Sequence, residues 1–214
     1  MSLPSHPRDA APTPAARPLN VLALCGSLRK ASINAALLRA AARLARPGAD
    51  IETADWLGRL PLFNPDLEAG DDGAPPRAVQ ALHLAVAAAD AIMIASPEYA
   101  HGVSGTIKNT LDWLVSFPPF IHKPVAVINA SPRAHHADDA LRETLRTMSA
   151  GLVGARSFTV ALLGAHMDEA AMAASPAVAA VVAEALAALR AEIERRRAGD
   201  VPVFPLSDVQ LPPA

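Results

Sequence analysis

Leu19-Asn20-Val21-Leu22-Ala23-Leu24-Cys25, followed at once by Gly26-Ser27-Leu28-Arg29-Lys30-Ala31-Ser32-Ile33-Asn34, is the stretch on which the fold turns. The first seven residues form an apolar run with one polar member, bounded by Pro18 and Gly26, as a strand covered on both faces requires. From Ile33 the apolar positions Leu37, Leu38 and Leu44 return at helical spacing until Pro47-Gly48 ends the pattern. A buried strand, a short polar turn and a helix in this order make the first half of a strand-helix-strand unit.

The alternation continues along the chain. Asp50 to Asp55 reads as a second strand, Pro76 to Ala89 as a helix and Ala91 to Ala95 as a buried third strand. Ser104 to Val115 reads as a helix, Pro124 to Asn129 as the fourth strand, Ala137 to Met148 as a helix and Ser157 to Leu162 as the fifth strand. Pro176 to Arg197 closes the series as an Ala-rich helix. Right-handed crossovers put such helices on both faces of a parallel sheet. The expected fold is therefore α/β: a flavodoxin-like three-layer sandwich whose five parallel strands run in the order 2-1-3-4-5. In that order the loops after strands one and three flank the switch point where a ligand crevice opens.

The 214 residues suffice for one domain with a sizeable core. The expected organisation is a Pro-rich disordered tail over 1–18, one domain over 19–198 and an extended arm over 199–214. A formal net charge of -2 gives no field to recruit a polyanion, so nucleic acid is not an expected partner. The apolar segments are too interrupted by Arg, Asp and Pro to span a bilayer, and no membrane partner is expected. The single cysteine excludes an internal disulfide and fits a reducing compartment, making a cytoplasmic location the expectation.

The turn after the first strand has the chemistry of a phosphate pocket. A strand-to-helix turn presents unpaired backbone N–H groups and the positive end of a helix dipole. Here Ser27, Ser32, Asn34 and the fixed charge of Arg29 add side-chain donors. The bland alternative is that Ser32 only caps the helix and Arg29 is solvated. Cys25 at the head of the loop resembles a phosphatase nucleophile in position alone, since the arginine needed six residues later is Ala31. It reads instead as a small buried residue at a strand end.

The turn after the third strand, Ser96-Pro97-Glu98-Tyr99-Ala100-His101-Gly102, reads as a platform for a flat ring. Proline fixes the chain there, backbone N–H groups are free to meet the polar edge of an isoalloxazine, and Tyr99 offers an aromatic face. His101 continues around the rim; the bland alternatives are an ordinary loop aromatic for Tyr99 and a surface histidine for His101. A phosphate pocket and a ring platform flanking one switch point point to a mononucleotide cofactor, FMN. The cluster His135-His136 with Asp138 and Asp139 reads as a helix start; no metal site is expected.

These residues resemble the NADPH-dependent FMN reductase family, the flavodoxin-like group that includes bacterial quinone, chromate and azo reductases. The likeness rests on Gly26, Ser27, Leu28, Arg29, Ser32 and Asn34; on Leu60-Pro61-Leu62-Phe63-Asn64-Pro65-Asp66; on Ser96 to Tyr99; and on Gly105, Lys108, Asn109, Asp112 and Trp113. It implies that Ser27, Arg29, Ser32 and Asn34 bind the FMN phosphate and that Pro97, Glu98 and Tyr99, with His101 and Ser131, line the flavin. It implies NADPH or NADH as co-substrate, a small-molecule acceptor such as a quinone, free flavin, azo compound or metal oxyanion, and a homodimer or homotetramer. Substrate would enter between subunits near Asn64 and Asp66. No side chain need act as a nucleophile, because the flavin carries the chemistry.

Two positions differ from the family's usual pattern. Ala100 stands where an asparagine is usual, which takes an amide away from the ring or its ribityl tail. The loop after strand four, Ala130-Ser131-Pro132-Arg133-Ala134-His135-His136, lacks the usual glycines. Two other functions remain open on this reading: a flavodoxin-type FMN electron carrier without nicotinamide activity, against which the weak net charge argues, and a flavin-free interaction protein on the same fold.

Overall fold

A computed structural model describes residues 17–70 and 73–199. Residues 1–16 of the expected tail and 200–214 of the expected arm lie outside the described residues. The chain forms β1 (Leu19–Cys25), α1 (Ile33–Ala45), β2 (Ala49–Thr53), α2 (Asp66–Ala69), α3 (Arg77–Ala88) and β3 (Ala91–Ala95). It continues with β4 (Glu98–Tyr99), β5 (Gly102–Val103), α4 (Gly105–Asp112), β6 (Pro124–Asn129), α5 (His135–Thr147) and β7 (Gly151–Leu152). The last elements are β8 (Phe158–Thr159), α6 (Glu169–Ala174) and α7 (Pro176–Arg197).

The main sheet is parallel in every pairing and runs β2-β1-β3-β6-β7, with β8 also on β6. This is the expected order, with its fifth place split in two. Val153 N donates to Val125 O and Val160 N to Asn129 O, both at 2.9 Å. Residues 125 and 129 share strand parity, so both pieces occupy the same edge of β6. Between them the chain leaves the edge at Gly154, whose φ is 78° and whose carbonyl accepts a 2.8 Å bond from Arg142 Nη2. Arg142 is buried and its Nη1 also reaches Ser157 Oγ at 3.5 Å, so a charge on α5 holds the excursion in place. The ladder of the expected fifth strand is accordingly shorter than Ser157 to Leu162.

Strand alternation sorts the core into two layers. Val21, Ala23 and Cys25 of β1, Ala91, Met93 and Ala95 of β3, and Ala126 and Ile128 of β6 face α1, α6 and α7. Leu22 and Leu24, Ile92 and Ile94, and Val125 and Val127 face α3, α4 and α5. Both faces are covered, which is why these strands read as continuous apolar runs. The side chains on the first face are mostly small and meet the Ala-rich α1 and α7, allowing close helix-to-sheet approach.

β4 and β5 form a hairpin with Glu98 opposite Val103 and Tyr99 opposite Gly102. Its two central residues, Ala100 (φ 49°) and His101 (φ 61°), both take the left-handed conformation that a two-residue hairpin turn demands. Ala100 lies exposed at this tip, so an asparagine there would serve the backbone, because asparagine tolerates φ > 0 better than alanine. Ala100→Gly is expected to stabilise the protein by about 1 kcal/mol. A urea midpoint unchanged or lowered in this variant would contradict the strained-turn account.

Candidate functional site

The carboxyl ends of β1, β3, β6 and β8 surround a cleft of about 910 Å³. That is within the range of about 300–1,000 Å³ usual for cofactor sites. One end is the turn from β1 into α1. Ser32 caps α1, its Oγ accepting from Ala35 N at 3.2 Å, while Ser27, Arg29, Lys30 and Asn34 also line the cleft. The N–H groups of Ile33 and Asn34, in the first turn, have no acceptor within the helix. Backbone donors, hydroxyls and two cations therefore share the positive end of α1.

The platform loop lies directly beside this turn. Gly26 N donates to Ala95 O at 2.8 Å. A Cβ on Gly26 would fall 2.7 Å from Ser104 Oγ, 2.9 Å from Ile107 Cγ1 and closer still to Ser96 Oγ. Gly26 is thus required for space: only a hydrogen at this position lets the loops after β1 and β3 meet. Ser96, Pro97, Glu98 and Tyr99 line the cleft next to Ser27 and Ser32. Cys25 is buried beneath the turn, with Sγ 3.5 Å from Ser27 O.

Glu98 does more than line the cleft. Its Oε2 accepts from Ala137 N at 2.9 Å and its Oε1 lies 3.1 Å from His101 Nδ1. The bond from the Ala137 N–H at the start of α5, with His101 beside it, holds the carboxyl below the usual carboxylate range. The side chain therefore caps α5 and joins the platform loop to the next wall. His101 does not line the cleft; it stands at the hairpin tip, its ring 4.3 Å from that of His136, which lies 4.1 Å from His135. Among the described residues no group of three or more His, Cys, Asp or Glu side chains is arranged to hold a metal ion.

The loop after β6 reaches the cleft without glycine. Asn129 Oδ1 accepts from Ser131 N at 2.9 Å, Asn129 Nδ2 donates to Ala134 O at 3.1 Å, and Ser131 Oγ accepts from Arg133 N at 3.2 Å. These side chains turn the backbone as Asx and Ser turns do. Asn129, Ser131, Arg133 and Ala134 consequently line the cleft. The far wall is Leu163, Gly164 and His166 to Glu169, a segment that carries no local motif. The one clue to it was position: it follows the last strand, where α/β crevices open.

Asn64 and Asp66 lie outside the cleft lining, on the neighbouring segment that leads into α2. Asn64 Oδ1 accepts from Asp66 N at 3.0 Å. Two residues of α4's end tether this segment: Asn109 Nδ2 and Trp113 Nε1 both donate to Pro61 O at 2.9 Å, and Asn109 Oδ1 accepts from Phe63 N at 2.8 Å. The Phe63 ring meets Trp113 edge-on at 5.0 Å. Trp113 is thus a buried anchor.

One atom argues that the cleft is built for a ligand. Among the described residues Asn34 Oδ1, on a residue that lines the cleft, is buried with no hydrogen-bond partner. An orphaned buried polar atom costs about 1–3 kcal/mol. A ligand hydroxyl would satisfy it, and so would a phosphate oxygen with the amide turned over, because oxygen and nitrogen of an amide exchange places by a flip. Donors at one end, an orphaned amide and a proline-stiffened platform beside them fit the phosphate, ribityl chain and ring of FMN.

The chain is similar to proteins of known name. It is 46% identical over 121 residues to a probable NADPH:quinone oxidoreductase of rice, covering 54% of this chain and 60% of that protein. It is 44% identical over 115 residues to an NAD(P)H-dependent FMN reductase of Pseudomonas aeruginosa, covering 53% and 60%. The matched part thus spans about 60% of these relatives' length. Among solved structures, a flavoenzyme NAD(P)H:(acceptor) oxidoreductase of Paracoccus denitrificans shares the fold with a TM-score of 0.70 at 24% identity, over 81% of this chain and 98% of that one. The family model described as NADPH-dependent FMN reductase matches residues 19–164. That span runs from β1 to the far wall of the cleft, and the chain belongs to the NADPH-dependent FMN reductase family.

Proposed function

We propose that this protein is an FMN-dependent NAD(P)H oxidoreductase that delivers reducing equivalents to a small acceptor, a quinone in the first instance. The observation that carries the reading is the meeting of the Gly26–Asn34 turn and the Ser96–Tyr99 loop in one cleft, with Asn34 Oδ1, on a residue lining it, without a hydrogen-bond partner among the described residues. The names of the relatives, quinone oxidoreductases and FMN reductases, support it.

When bound, FMN supplies a ring that accepts hydride and passes electrons on. The chain's own residues supply binding and orientation. Arg29, Ser27 and Ser32 would neutralise and bond the phosphate at the α1 N-terminus, and Asn34 would take an adjacent polar group. Pro97 stiffens the loop under the ring, and Glu98 ties that loop to α5. Tyr99, 57% exposed, and Leu163, 56% exposed, leave apolar surface at the mouth for a flat acceptor. Leu62 is 84% exposed on the Leu60–Asp66 segment, which supports association of subunits there as a homodimer or homotetramer. No helix among the described residues is long and apolar enough to cross a membrane. Cytoplasmic residence is part of the proposal.

The test is anaerobic addition of NADPH to protein loaded with FMN, followed by a quinone. Bleaching of the flavin absorbance and its return with the quinone are expected. Protein that takes up no FMN, or whose bound flavin NAD(P)H leaves unreduced, overturns the reading.

A further inference from the structure

Arg133 lies in the glycine-free loop after β6, and the structure puts it on the wall of the cleft. Its backbone is fixed on both sides: its N–H donates to Ser131 Oγ at 3.2 Å and its carbonyl lies 3.2 Å from His135 Nδ1. Among the described residues its guanidinium forms no ion pair. Glu98, a carboxylate that also lines the cleft, is already committed to Ala137 N and His101. By contrast Arg39, which also lines the cleft, is held by Glu169 at 2.7 Å.

Arg133 also stands on a different loop from the turn that would grip the FMN phosphate. The strand order β1-β3-β6 separates the two loops by two strand spacings, about 10 Å. FMN has a single phosphate, and the Ser27–Asn34 turn accounts for it. A guanidinium on a backbone-anchored residue, without an ion-pair partner among the described residues, on a second wall of the same cleft calls for a second anionic group. Resting on the oxidoreductase reading, we infer that Arg133 is a specificity-determining residue that binds a phosphate of the nicotinamide nucleotide co-substrate. Guanidinium geometry suits bidentate bonding to phosphate oxygens, and the loss of such a charge-assisted contact falls on binding rather than on hydride transfer.

The experiment compares wild type, Arg133→Gln and Arg133→Lys, each loaded with FMN, in NADH and NADPH oxidation. The expected result is a KM raised about tenfold in Arg133→Gln with kcat within about twofold, and a partial return in Arg133→Lys, which keeps the charge but not the fork. An equal loss for both nucleotides assigns the contact to the pyrophosphate, and a loss confined to NADPH assigns it to the 2′-phosphate; both support the inference. Calorimetric titration with ADP and 2′,5′-ADP gives a readout independent of turnover, and the affinity lost in Arg133→Gln is expected to match the change in KM. Unchanged KM and unchanged nucleotide affinity in Arg133→Gln overturn the inference while leaving the oxidoreductase reading intact. A wild type that oxidises neither nucleotide defeats that reading instead.

Discussion

Gly26→Ala is expected to lose FMN affinity by tenfold or more and to lower stability by about 1–3 kcal/mol, the usual cost of overpacking. Gly26 has no positive φ, so alanine is acceptable to the backbone; the conflict is purely with Ser96 Oγ, Ser104 Oγ and Ile107 Cγ1. Relief of the clash means moving the platform loop away from the phosphate turn, which separates the two halves of the cleft. Adding Ser96→Ala removes the nearest opposing atom and is expected to restore part of both losses. The checks are FMN titration by fluorescence quenching and urea unfolding of the same preparations. A Gly26→Ala protein that binds FMN as wild type does would show that the loops need not touch.

Trp113→Ala carries the largest expected stability effect, about 3–5 kcal/mol. The side chain is 1% exposed, and its removal opens a cavity in the layer formed with Leu57, Leu60 and Leu114. The same change strips the Nε1 bond from Pro61 O and the ring contact to Phe63, so the Leu60–Asp66 segment loses two of its ties to α4. Trp113→Phe keeps most of the packing and loses only the N–H donor, for which about 1 kcal/mol is expected. Pro61 O retains Asn109 Nδ2 in both variants. A loss below about 1 kcal/mol in Trp113→Ala, by urea unfolding, would contradict this role.

What could be read in the sequence follows the physics of burial. β1, β3 and β6 are covered on both faces, so all their positions but Asn20 and Asn129 are apolar and the runs stand out without knowledge of the fold. The phosphate-type turn is equally local, since Ser27, Arg29, Ser32 and Asn34 fall within eight residues. The split fifth strand was hidden because Arg142, distant in sequence, holds Gly154 and Ser157 off the sheet edge. The hairpin was hidden because Ala100-His101 lacks the glycine or asparagine that marks such turns. The same turn carries His101, expected on the flavin rim, to the hairpin tip against Glu98 and His136. The loop after β6 has no glycine to mark its turn, and Asn129 and Ser131 bend it with their side chains instead. The Pro61 tether and the far wall depend on contacts between segments dozens of residues apart, which no local pattern encodes.

The account rests on a phosphate held by the turn at the head of α1. The most direct measurement is the affinity of the FMN-free protein for FMN against riboflavin, which differs only in lacking that phosphate. Two charge-assisted bonds at about 1.5 kcal/mol each predict that FMN binds about a hundredfold more tightly. Equal affinity for the two flavins would contradict it.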